Sequence, residues 1–434
     1  MGIAAGSPYP QVQQAVGGAT YTQASETAAN TAGGADLRFW EYSVGWELDF
    51  WGKFRRGIES ADANFLDSIA AYDNALVLLI AQVADTYVAI RSAEAQLRVA
   101  QENVALQQRS LQITESRFRG GDVDELDVLQ ARTQLLSTQA TIPQVDLGLQ
   151  QARHAMSTLL GRPPGGLAEM ATSPPGAIPA PPQALATGVP TDLLRRRPDV
   201  RQAELAAATQ SAAVGVAEAD LYPSFGLTGF LGVVAADGTH TTRTGNSGFG
   251  QLFNASSLTF VGGPYFSWNI LNYGRIRNNV RVQDARLQQL LVNYQDTVLN
   301  AVQEVEDGMV AFLRNREQAQ ILAMSEVSAQ RSFRLATIQY REGMADFQRV
   351  LDAQASLLKA QQQLVAARGA TASSAIGIYR ALGGGWEVRS GNDLVDAASK
   401  EAMQRRVDWG DLLNRQATQP PARDATVAYP PLDW

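Results

Sequence analysis

The sequence predicts an α+β membrane protein: long coiled-coil helices adjoining transmembrane strands, four strands per chain, on an internal duplication with an offset of 222 residues. Three observations predict it. The chain matches itself at that offset without a gap from 46 to 161, pairing Trp46 with Trp268, Gly52 with Gly274, Asp62 with Asp284 and Gly161 with Gly383. No proline occurs from Lys53 to Arg119, and apolar residues recur there at three and four. Before each proline-free stretch the period drops to two, as in WEYSVGWELDFW at 40–51.

The first repeat, 1–161, opens with strands at 9–17 and 39–51. In the second, Trp40, Tyr42, Val44, Trp46, Leu48 and Phe50 share one face, and Glu41, Glu47 and Asp49 lie on the other. A helix over 53–119 would span roughly 100 Å, far beyond an ordinary globular helix, which points to a coiled-coil assembly; a bent bundle of shorter helices is the alternative. Gly120 and Gly121 suit a helix end, Asp124 suits the next N-cap, and a return helix follows over 124–160 with a kink expected at Pro143.

A linker at 162–194 leads to the second repeat, 195–383. It reads as a helix at 198–219, strands at 222–234 and 259–272, a long helix at 275–342, a turn at Gly343 and a return helix at 346–382 with Asp346 at its N-cap. Residues Phe260, Phe266, Trp268 and Ile270 repeat the apolar face of 40–50. The arginines at 195–197 read as a packed helix start and not as an anion site, and an extension occupies 384–434. At an offset of 213, residues 2–12 lie over 215–225, so the chain is expected to begin inside its own first repeat.

Four strands of this length can cross a hydrocarbon layer, but cannot close a barrel alone, and an open edge in lipid leaves backbone groups unpaired. Closure therefore predicts a homo-oligomer, whereas a soluble β-sandwich would bury the same faces against helices. Composition removes other classes. Net charge is −7 with no long basic block, so no nucleic-acid partner is expected. With no cysteine and two histidines, no catalytic residue, metal site or cofactor is predicted. The longest apolar run, ALVLLI at 75–80, is too short for a transmembrane helix, and MGIAAGSPYP, with no charged or apolar region, is not expected to be a signal peptide.

DLLRRRPDVRQAE (192–204), AEADLYPSF (217–225), SWNILNYGRIRNNV (267–280) and YREGMADFQRVLDAQASLLKAQQQL (340–364), with the duplication, resemble the TolC-like outer-membrane factors, in the lipoprotein branch that serves RND-type tripartite efflux systems. The resemblance spans essentially the whole chain. It implies a homotrimer in which a long α-helical coiled-coil barrel is continuous with a twelve-stranded transmembrane β-barrel, crossing the periplasm and the outer membrane. The function implied is passive export of small molecules, with a periplasmic adaptor and an inner-membrane transporter as partners and outer-membrane lipid around the barrel. The family's lipid-bearing cysteine, signal peptide and first helix have no match here, which implies truncation. A soluble coiled-coil scaffold or adaptor is the competing reading.

The resemblance also implies roles for residues. The glycine turns become periplasmic tips where the adaptor docks, through Phe118, Arg119, Gly120, Gly121, Arg341 and Gly343. Asp352, in VLDAQ, matches an acidic ring at the pore constriction, with Asp346, Asp127 and Tyr340 near the same gate. Three inward copies of Asp352 would repel one another and favour cations. Arg349 stands where some relatives carry another acid, so a second ring is not implied.

Overall fold

A computed structural model of the chain describes residues 2–23, 34–165, 174–182, 197–238, 252–389 and 393–413. Arg195, Arg196 and the middles of the two strand connections lie outside the described residues. The elements run α1 (Gly2–Ala5), β1 (Val12–Gln23), β2 (Gly34–Leu48), α2 (Lys53–Arg119), α3 (Glu125–Leu159), α4 (Pro198–Ala219), β3 (Ser224–Gly238), β4 (Leu258–Ser267), α5 (Arg275–Arg341), α6 (Phe347–Ala381) and α7 (Ala397–Arg406). They fall into two compact units: Met1–Ser68 with Arg201–Asp296, and Ile69–Val200 with Thr297–Trp434. Each unit draws on both repeats; in the first, the strands of the two repeats pair with each other.

In the first unit the sheet is antiparallel in the order β1-β2-β3-β4. Its register sets Trp40 between Gly17 and Val233, Tyr42 between Ala15 and Leu231, and Leu231 against Phe260. Since side chains alternate along a strand, Trp40, Tyr42, Val44, Trp46, Leu48, Phe225, Leu227, Leu231, Phe260 and Phe266 fall on one face. Glu41, Ser43, Glu47, Ser224, Gly226, Thr228 and Gly232 fall on the other. That second face is crowded near the backbone: a Cβ on Gly232 would sit 2.6 Å from the Trp40 carbonyl oxygen.

The strands differ from expectation at their ends. β1 begins at Val12 and not at residue 9, because the Tyr9 N–H donates to Gly6 O in a turn and Pro10 has no N–H to give a ladder. β2 stops at Leu48, since Phe50 N–H turns back to Leu48 O and Asp49 leaves the ladder to cap α2. Its carboxylate accepts from Phe54 N at 3.1 Å and Arg55 N at 3.0 Å, so the alternation that assigned Asp49 to a strand face ran on by coincidence. Phe50 therefore lies beyond β2, and Trp268 and Ile270 lie beyond β4. Trp46 Nε1 donates to Pro8 O at 2.8 Å and Trp268 Nε1 to Leu221 O at 3.1 Å, the same bond in both repeats. α4 ties into this unit through Ser60 Oγ to Thr209 O and Gln210 Nε2 to Gln283 Oε1.

In the second unit, apolar contacts hold each helix to its own return helix. Ile90, Leu149 and Met156 join α2 to α3, and Phe312, Ala375 and Ile378 join α5 to α6. Between α2 and α6 an apolar cluster of Ala95, Val99 and Val365 gives way toward the tips to polar contacts: Asn103 Nδ2 donates to Gln361 Oε1 at 2.7 Å and Gln354 Nε2 to Ser110 Oγ at 2.7 Å. α3 runs through Pro143 without ending. One stretch of α2 is long and apolar enough, averaged over its residues, to cross a membrane. It is not an unbroken apolar run, because residues such as Gln82 and Asp85 interrupt it, so the expectation of no such helix from run length alone does not hold.

Two charged clusters tie connecting segments to this unit. Glu94 accepts from Arg91 and Arg153, each at 3.0 Å, and from Gly176 N at 2.9 Å. Burial works to raise the Glu94 carboxyl, but those hydrogen bonds outweigh it and hold it below the usual carboxylate range. Arg197, almost fully buried, forks onto Asp199 at 3.0 and 2.7 Å, reaches Glu304 at 3.0 Å and donates to Ala381 O at 2.8 Å. That geometry agrees with a packed helix start.

Candidate functional site at the helix tips

Each tip is made by a glycine that leaves the right-handed region. Gly121 has φ +80° and Gly343 has φ +75°. Around them the bonds repeat at the 222-residue offset. Asp122 N donates to Arg117 O and Gly121 N to Phe118 O; Met344 N donates to Gln339 O and Gly343 N to Tyr340 O. This is a paired helix-ending motif that satisfies the last carbonyls of α2 and α5. Asp124 and Asp346 occupy the N-cap positions of α3 and α6 in extended conformation, but neither side chain makes the capping bond.

The two tips pack side by side. Ala131, Ala336, Tyr340, Phe347, Val350 and Ala353 form one buried cluster from α3, α5 and α6, with Leu111 and Ile113 of α2 against it. Tyr340 is 3% exposed, so its ring belongs to this core and not to an open surface. Phe347 lies 5.2 Å from it, centroid to centroid. Burial raises the Tyr340 phenol above its ordinary value.

Arg117, which sequence reasoning did not single out, closes the cluster. Its guanidinium carbon stands 4.7 Å from the Tyr340 ring centroid, and its Nη1 donates to Tyr340 O. The signal that could have found it was a cation one turn before the first tip glycines, but its partner lies 223 residues away. Asp127, half-buried, faces Asp124 and Asp346; burial first and those charges second raise its carboxyl, against the pull of Arg117.

The structure thus brings Asp127, Asp346 and Tyr340 to one place. Asp352 stands apart from them: it is exposed, off the buried stripe of Phe347, Val350, Ala353 and Leu357, and accepts from Gln348 Nε2 at 2.9 Å. Phe118, Arg119, Gly120, Gly121, Arg341 and Gly343 are all exposed around the turns. Phe118 and Tyr340 are equivalent by the duplication, yet one is 43% exposed and the other buried.

Comparison with known proteins follows this geometry. Residues 1–162 and 189–384 match the family described as outer membrane efflux protein. Nodulation protein T of Rhizobium leguminosarum bv. trifolii is 32% identical over 327 residues, covering 75% of this chain and 67% of that protein. The cation efflux system protein CusC of Escherichia coli O6:H1 is 32% identical over 353 residues, covering 80% of this chain and 73% of that protein. Among solved structures, the outer-membrane channel OprN superposes with a TM-score of 0.81 at 32% identity, over 89% of this chain and 84% of that one. Of these, CusC is named as a cation efflux system protein and OprN as an outer-membrane channel. The chain belongs to the outer membrane efflux protein family and is an outer-membrane channel of a tripartite efflux system.

Proposed function

We propose that this channel is a passive trimeric duct whose α2–α3 and α5–α6 tips form the periplasmic closing end. One observation carries the reading: a four-stranded sheet with an apolar aromatic face and, among the described residues, two unpaired edges, β1 and β4, which further copies could close into a barrel. Trp40, Tyr42, Val44, Trp46 and Leu48, with Phe260 and Phe266, would face outer-membrane lipid. Phe50, Trp268 and Ile270, beyond the strand ends, would lie at the lipid–water boundary, where aromatic girdles sit.

A periplasmic adaptor would dock on Phe118, Arg119, Gly120, Gly121, Arg341 and Gly343. An inner-membrane transporter of the RND type would supply the energy. The names of relatives differ in cargo, with cations for CusC and pyoverdine for OpmQ of Pseudomonas putida, which favours a duct whose cargo is chosen by its partners. Exposed Asp352, three times in a trimer, would set cation preference at the constriction, with Asp346 and Asp127 close by.

The test is single-channel recording of the full-length trimer in planar bilayers. Asp352→Ala should reduce cation preference and raise conductance. Unchanged selectivity and conductance would remove Asp352 from the gate. A monodisperse, detergent-free dimer would overturn the duct and favour a soluble scaffold.

A further inference from the structure

We propose that Tyr273, at the foot of β4, seats on Tyr9 of a second copy of this chain, and that this pair of rings clamps the seam between neighbouring copies. The inference rests on the reading of the sheet as a share of a barrel closed by further copies.

A template for the seat lies inside the chain. Where β2 and β3 bring the two repeats together, Trp51 stacks on Tyr222, with ring centroids 4.6 Å apart and planes 21° from parallel. Trp51 Nε1 donates to Pro223 O at 2.8 Å, and Lys53 Nζ meets Asp220 Oδ1 at 2.8 Å. The duplication carries every one of these partners to the outer edges of the sheet. At the 222-residue offset, Trp51 corresponds to Tyr273 and Lys53 to Arg275. At the offset of 213, Tyr222 corresponds to Tyr9, Pro223 to Pro10 and Asp220 to Ser7. That second offset holds in three dimensions, because Trp46 binds Pro8 O as Trp268 binds Leu221 O.

Within one chain the two halves of the second seat stand on opposite edges. Tyr9 precedes β1 and Tyr273 follows β4, with β2 and β3 between them, three strand spacings of about 4.8 Å. Both rings are accordingly open: Tyr9 is 69% exposed and Tyr273 is 99% exposed. Tyr273 has φ +49°, and among the described residues it is the only non-glycine in the left-handed region, which a bulky side chain rarely adopts. Gly52 and Gly274, next in the chain, have φ +77° and +78°, so the turn after each ring continues the same way. Laying β4 of one copy against β1 of the next brings Tyr273 to Tyr9, as β2 against β3 brings Trp51 to Tyr222. The seam between copies differs in one respect. Ser7 stands where Asp220 stands, so the position that pairs with Lys53 offers Arg275 no carboxylate, and the rings clamp the foot of the seam without that ion pair.

The chain has no cysteine, so paired cysteines report on this seam alone. Tyr9→Cys with Tyr273→Cys, in the whole chain purified in detergent and treated with a short bifunctional maleimide, should give covalent dimers and trimers on a denaturing gel. Tyr21→Cys with Tyr273→Cys moves one thiol towards the far end of β1 and should leave single chains. Equal bridging by both pairs would mark random collision and overturn the seat. Single chains from the Tyr9 pair, while the unaltered chain has a trimeric native mass, would overturn the seat and leave the barrel standing. A native mass of one chain would sink both. Should the first pair fail to assemble, Ser7→Cys with Arg275→Cys keeps both rings: covalent trimers support the seat, and single chains overturn it. Tyr273→Ala should speed subunit dissociation about tenfold, the scale of an aromatic pair. Tyr273→Trp, which supplies an N–H for Pro10 O, should slow it about threefold, the scale of one hydrogen bond. Wild-type rates in both would overturn the clamp.

Discussion

Replacing Arg197 with methionine keeps the apolar stem and removes the guanidinium that binds the start of α4 to α5 and to the end of α6. The Ala381 carbonyl, which accepts from Arg197 Nη1 at 2.8 Å in a buried setting, loses its donor. An orphaned buried acceptor costs about 1–3 kcal/mol. Breaking a fully buried ion pair would cost about 3–5 kcal/mol, but the partners here are not fully buried. The Asp199 and Glu304 side chains are 28% and 45% exposed, so water can take over their solvation. Each lost pair then contributes about 0–1 kcal/mol. The expected loss is about 1–5 kcal/mol, read as a lowered urea midpoint with unchanged slope in detergent-solubilised protein. Arg197→Lys should lose less, since it keeps one charge but not the fork. A change below about 0.5 kcal/mol, the size of an ordinary surface substitution, would refute the argument that this network holds the unit together.

Other outcomes follow from single contacts. Gly176→Ala should release the 174–182 segment from α2 and expose it to protease. Gly176 has φ +73°, and an added Cβ would meet the Ala95 backbone nitrogen at 3.1 Å, which cannot yield. The same segment should loosen in acid. Glu94 is held below the usual carboxylate range, so its contribution is complete above that range and is lost as pH falls through its lowered value. Hydrogen exchange at the Gly176 amide should accelerate there, and Glu94→Gln should abolish the pH dependence. Gly232→Ala should disrupt the β2–β3 register, because its Cβ would lie 2.6 Å from Trp40 O and 2.7 Å from Glu41 Cβ, and yields of assembled channel should fall.

What the sequence could show was what repeats or persists. A proline-free stretch bounded by glycines marks α2, and the helix has those bounds, Lys53–Arg119. The strand faces follow from period two and agree with the register that sets Trp40, Leu231 and Phe260 on one side. Strand ends were less legible. Asp49 continued the alternation although its carboxylate belongs to the N-terminus of α2, a role decided by the chain's turn at Phe50. Site residues were legible where chemistry sits beside a turn, as with Gly121 and Gly343. They were illegible where partners meet across the fold: Arg117 finds Tyr340, and Glu94 finds Gly176, only after the helices associate. Asp124 and Asp346 show the converse, since a residue type that suits capping stands at each cap without making the bond.

The Trp46–Pro8 and Trp268–Leu221 bonds have a practical consequence. Evolution has left two versions of the same contact in one polypeptide, so a substitution at either has a natural control in its twin, read in the same sample under the same conditions. Where the twins still agree, as in these tryptophans, both seats demand the same shape. Where they have parted, as in Phe118 and Tyr340, the ancestral repeat has divided its labour, one copy keeping its aromatic ring outward and the other spending it on cohesion.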